Sequence, residues 1–248
     1  MRGRPFSVDI KPDWESLVRC IRREGTPRRV HHIELFLDGE IQAAICDRFG
    51  LLDGIDPADH WYWLRRQIAI QRFLGYDTAA CGVEGAGFET RRLVAADTAP
   101  LPREDGRSFM EEHRGPITNW EEFEKYPWPN PKALKTRALE WMQTNLPDGM
   151  CNVGQPMSHF CEHICWLMGY ETLCFALHEQ RDLVIAIRDR LEALYTAAVE
   201  LMLQFDRVKM VFGSDDMGFK TGLLFRFNAP GLIPPTFSRL TFSVGCPS

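Results

Sequence analysis

A chain of 248 residues, 45% hydrophobic and 25% charged, can bury a full core as one large domain or two small ones. Its formal net charge of −5 disfavours nucleic acid or an anionic membrane as the main partner, and no stretch reaches the roughly 18 uninterrupted apolar residues of a membrane span. The opening Met1–Lys11 is short, charged and carries Pro5, so it does not read as a secretory leader; the eight cysteines are expected to be reduced thiols of a cytoplasmic protein.

Residues 1–12 read as a lead-in. A helix is predicted from Trp14 to about Glu24, with Trp14, Leu17, Val18 and Ile21 on one face. Arg28 and Arg29 precede the alternating run VHHIELFL (Val30–Leu37), which predicts a strand and leaves the two arginines facing solvent. Glu40–Arg48 reads as a short helix. Asp56 followed by Pro57 predicts an N-cap and first helical position for a helix running to Phe73.

DTAACGVE (Asp77–Glu84) then predicts a small-residue strand ending in a carboxylate, followed by an irregular excursion with a short hairpin near Phe88–Val94. An acidic helix at Trp120–Tyr126, a Pro-rich connector and a helix over Pro131–Asn145 come next. Met150–Gln155 reads as another strand. Two helices follow, and then a long one over Arg181–Asp206 with Leu183, Ile187, Leu191, Leu194, Ala198 and Met202 at helical spacing.

That helix leads into KMVFGSDDMGFKTG (Lys209–Gly222), a short apolar run broken by Gly213 and Ser214 before Asp215 and Asp216. Strand, long helix, strand predicts βαβ units and a parallel sheet. The chemistry of such folds sits at the C-terminal ends of the strands. Asp215 and Asp216 stand at one such end and Glu84 at another, and these three are the catalytic candidates. A solvated acidic turn is the competing reading of the aspartate pair, and the alternation of a strand lets only one of two adjacent carboxylates face a given cavity.

HFCEHIC (His159, Cys161, His163, Cys165) holds zinc-donor residue types, but helical spacing puts the histidines and the cysteines on different faces, so buried thiols and amphipathic histidines are the expectation, with no metal site assigned. His32 and Glu34 share a face of the predicted first strand and are candidates for substrate contact or for a surface pair. No nucleophile elbow, P-loop or dinucleotide glycine pattern occurs.

Taken in order, Pro27–Val30, LGYDTAACGVE, GPITNWEEFEKYPWPNP, GQPMSHFCEHICWLMGYE, the long helix and GSDDMGFKTG resemble the uroporphyrinogen decarboxylase superfamily, which includes corrinoid-dependent methyltransferases, over about residues 13–225. The resemblance implies a (β/α)₈ barrel with a tetrapyrrole substrate, or a corrinoid protein partner, at the strand C-termini. Glu84 falls at the family's essential aspartate, seven residues after Asp77; Asp215 falls near its substrate-contacting serine; Glu162 falls near the tyrosine after its Gly-x-Pro motif, here Gly154–Pro156. His159 joins Glu162, His32 and Glu34 as a substrate-binding candidate.

The arginine-rich motif of true decarboxylases is missing, and Asp215-Asp216-x-Gly218 is closer to the methyltransferase-like branch. That branch's zinc ligands would lie past residue 225. The tail from Arg226 to Ser248 has no acidic residue, four prolines and no helical period, and is expected to be an altered or out-of-frame end. The expectation is therefore a C-terminally truncated, partial barrel over residues 1–225, closed off by a homodimer contact or by the tail. Its expected activity is corrinoid-dependent methyl transfer, with uroporphyrinogen decarboxylation and an inactive, binding-only fragment as the alternatives.

Overall fold

A computed structural model describes residues 10–32, 37–96, 107–155, 159–215, 218–219 and 222–223. Its centre is a three-stranded parallel sheet in the order β1-β4-β5: β1 (Thr78–Cys81), β4 (Cys151–Gly154) and β5 (Val208–Val211). Small residues in β1 (Thr78, Ala79, Ala80, Cys81) and the wholly buried β4 let helices approach the sheet closely.

The longest helix, α8 (Arg181–Met202), connects β4 to β5 and joins two apolar clusters. Its first part, through Leu183, Ile187, Leu191 and Tyr195, packs with α6 (Phe160–Met168), α7 (Tyr170–Glu179) and Phe123 of α4 (Trp120–Lys125). Its last turn, with Val199 and Met202, packs beneath the sheet with Leu64 and Ile68 of α3 (Tyr62–Phe73) and Leu139 and Met142 of α5 (Arg137–Asn145). The apolar positions recurring at helical spacing are the buried ones, which is why α8 is the best-marked helix of the sequence.

Several expectations change. The predicted first strand is not seen at Val30–His32, and Ile33–Phe36, including Glu34, lie outside the described residues. Arg29 does not face solvent: its guanidinium pairs with the fully buried carboxylate of Asp77, at the entry end of β1. A buried carboxylate needs such a partner, and two more groups reach it, one from the N-cap of the helix α1 (Trp14–Ile21) and one from the segment after that helix. The Asp13 amide donates to Asp77 (2.6 Å), and His31 Nδ1 lies 2.7 Å from it, while His31 Nε2 meets Ser16 Oγ at 3.1 Å.

Asp56–Pro57 is a turn, with Asp56 accepting the Ala58 amide (2.8 Å); α3 begins six residues later, at Tyr62. The helix predicted over Pro131–Asn145 is divided into a short 3₁₀ turn (Pro131–Ala133) and α5. The reason is local: the Lys135 amide donates to the Glu84 carbonyl (3.0 Å) and accepts in return through its own carbonyl (2.9 Å), so these groups cannot enter a helix. The short hairpin expected near Phe88–Val94 is replaced by a ribbon of β2 (Arg92–Ala95) and β3 (Arg107–Met110), whose second strand lies in the stretch read as irregular.

The fold is thus α/β, and among the described residues the parallel strands number three and form no closed barrel. The outer side of β1 meets a helix side chain instead of a strand, since the Ala80 amide donates to Gln67 Oε1 of α3 (3.2 Å). No described helix is long and apolar enough to cross a membrane. The seven described cysteines are free thiols.

Candidate functional site at the exit of the central strands

β4 and β5 run parallel, and the Phe212 amide continues their pairing by donating to the Gly154 carbonyl (2.9 Å). Both therefore release their following loops at one edge of the sheet. The β4 loop leads to His159 and α6; the β5 loop carries Ser214 and Asp215. β1 ends at the same edge, where the Gln155 amide approaches the Cys81 carbonyl (3.4 Å). A Cβ at Gly82 would lie 2.3 Å from the Gln155 carbonyl oxygen, so only glycine permits this approach.

His159 is the N-cap of α6, but its side chain makes no cap bond. Asp215 supplies the cap from another element: its carboxylate accepts the amides of Cys161 (2.5 Å) and Glu162 (3.0 Å). Two orphan helical donors and the positive end of the helix dipole meet one anionic group, a favourable arrangement that locks the β5 loop onto the first turn of α6.

The side chains of that turn form a connected group. Glu162 Oε2 lies 2.5 Å from His159 Nδ1, with both side chains about a quarter exposed (24% and 25%), and Ser214 Oγ is 3.3 Å from the same nitrogen. Below, the buried Tyr195 hydroxyl of α8 accepts the His159 amide (3.2 Å) and lies 2.8 Å from His163 Nδ1, which also contacts the His159 carbonyl. A carbonyl can only accept, so His163 Nδ1 is the protonated nitrogen of a neutral ring. Burial pushes the His163 pKa down to about 4 and pushes the Tyr195 hydroxyl well above the ordinary phenol range.

Of the residues singled out in the sequence, His159, Glu162 and Asp215 come together here. Asp216 and Glu34 lie outside the described residues. Glu84 stands at the exit end of β1 as anticipated, but its carboxylate is held by Arg137 of α5, through Nε (3.0 Å) and a terminal nitrogen, and its backbone is bridged to Lys135. His32 is half-buried and directly follows His31, whose anchor Asp77 is at the opposite, entry end of β1.

Sequence reasoning passed over Tyr195, His163 as a site residue, and the Asp77 hub. Tyr195 was legible in principle as a polar tip within the apolar stripe of α8. Nothing in the chain order announces that Asp77, Arg29 and His31 meet.

The described His and Cys donors do not converge on a zinc site. Burial, first, and the nearby Asp215 carboxylate push the Cys161 thiol above its ordinary range, and burial pushes Cys165 up to about 12. Among the described residues no group of three or more His, Cys, Asp or Glu side chains is disposed to hold a metal ion. No protein-family model matches the chain, and comparison with curated proteins and with solved structures found no match.

Proposed function

We propose that the chain is an enzyme of the uroporphyrinogen decarboxylase superfamily, of partial (β/α)₈ barrel form, acting on a tetrapyrrole-associated substrate, with methyl transfer to or from a corrinoid as its reaction. The resemblance in the order of motifs supplies the family. What supports a working site is one observation: His159, Glu162, Ser214 and Asp215 form a single bonded group where β4 and β5 end. Strand ends of this kind are where parallel α/β folds place their chemistry.

In this reading the exit edge receives the planar macrocycle beside His159 and Trp166, whose rings lie 5.5 Å apart. Glu84, oriented by Arg137, lines the β1 side, and Asp215 holds the first turn of α6 in place. Methyl transfer is preferred to decarboxylation because the arginine-rich motif with which decarboxylases grip substrate carboxylates is missing.

A second reading, binding without turnover, is favoured by a specific observation: the carboxylates of Glu84 and Asp215 both already have internal partners. One pair of measurements separates them. Uroporphyrin and methylcobalamin are titrated against the tryptophan fluorescence of the full chain, and methylcobalamin is then incubated with a thiol acceptor. Saturable quenching with chain-dependent thioether and cob(I)alamin formation is expected. Quenching without turnover selects the binding-only reading, and neither response with either probe overturns both.

A further inference from the structure

We infer that His159 Nε2 is the proton-accepting atom of the strand-exit site, with Glu162 as the positioning residue that keeps its proton on Nδ1. This rests on the enzymatic reading above and assigns the reacting atom within it. The carboxylate of Glu162 at 2.5 Å from Nδ1 can only accept a hydrogen bond, so the favoured neutral ring carries its proton on Nδ1 and a lone pair on Nε2. A base oriented by a third group is the recurring arrangement for activating a nucleophile.

Three contacts hold this geometry. The His159 amide is fixed on the Tyr195 hydroxyl, the Glu162 amide on Asp215, and the His159 carbonyl on His163. The dyad is therefore clamped from α8 and from the β5 loop, while its side chains are about a quarter exposed. The substrate suited to it bears a weakly acidic S–H, such as a thiol methyl acceptor. Nε2 takes that proton, the S–H electron pair stays on sulfur as a thiolate, and the resulting imidazolium is balanced by the Glu162 carboxylate. No other reactant is required for this step.

The tautomer is measured by ¹⁵N–¹H correlation of the imidazole nitrogens in the full chain, with His159→Gln assigning the resonances. The expected result is a His159 ring protonated on Nδ1 and bare on Nε2, with Glu162→Ala moving population to the Nε2-protonated form. A wild-type ring protonated on Nε2, or a tautomer unmoved by Glu162→Ala, overturns the inference.

In the methylcobalamin–thiol assay, His159→Gln is expected to lower turnover by about 100-fold or more. Wild-type turnover in that variant overturns the proton-transfer role and leaves the proposed methyl transfer standing. Absence of binding and turnover in the wild type overturns the proposed function, and the inference with it.

Discussion

His163 shows how much a single buried ring can impose on the protein around it. Enclosed by Phe88, Trp166 and Tyr195, it is 8% exposed, and burial lowers its pKa from 6.5 to about 4 against the opposing hydrogen bond to His159. The folded chain thus binds fewer protons at this site than the unfolded chain between those two values. Its contribution to stability is complete above pH 6.5 and is lost as pH falls toward 4. The loss comes to about 3 kcal/mol at about 1.4 kcal/mol per pH unit. Urea unfolding near pH 7 and near pH 4 checks this: His163→Gln is expected to have a smaller acid-induced loss than wild type by about that amount.

Glu84, at the same scale, has the residue type and strand position that suggest acid–base chemistry, and a bonding pattern that suggests anchorage. Its carboxylate is held through one oxygen by the Arg137 guanidinium.

Among the elements, α6 depends on both of its ends. Its start is capped by Asp215, and its end is fastened to the loop before α4, where the Gly115 amide donates to the Met168 carbonyl (2.8 Å) and the Ile117 amide to the Leu167 carbonyl (2.9 Å). This second contact requires glycine, since a Cβ at Gly115 would lie 2.2 Å from the Leu167 carbonyl oxygen and 2.4 Å from its carbon. Backbone cannot yield as a flexible side-chain end can. Gly115→Ala is expected to cost about 2 kcal/mol or more in urea unfolding and to speed hydrogen exchange at the Ile117 amide. Gly87→Ala, with nothing within 4 Å of the added Cβ, serves as the near-neutral control.

The sheet is managed differently at its two sides. Gln67 covers a donor of β1, whereas β5 has Val211 39% exposed. Among the described residues β5 is the edge of the sheet, and an edge strand with an exposed β-branched residue is a place where another strand could pair.

For the whole molecule, the decisive contact lies away from the candidate site. Asp77 gathers the Asp13 amide, Arg29 and His31 at the entry end of β1 and so ties the first 32 residues' described part to the sheet. Removing one member of a buried charged group leaves the others uncompensated, at a cost of about 3–5 kcal/mol. Asp77→Ala is therefore expected to lower the urea midpoint by that stability and to expose the Arg19–Arg29 region to trypsin, with Asp77→Asn milder in both. Two apolar clusters then meet through α8, so the sheet and the α6–α7 layer share one long helix.

The sequence by itself determined the elements whose signals are local. α8 was legible because apolar residues at every third or fourth position can be buried together only on a helix, and β1, β4 and β5 because short apolar runs are bounded by turn residues. The exit edge as the place for Asp215 followed from strand direction, whereas Glu162 was a candidate through the family resemblance. Only the tertiary structure decided what these residues touch. Asp215 caps a helix that begins 55 residues earlier at Phe160, Arg137 claims Glu84, and Arg29 turns inward to Asp77, because buried charges and orphan amides take whichever partner the packed chain brings within reach. Such pairings depend on distance in space, which spacing along the chain does not encode.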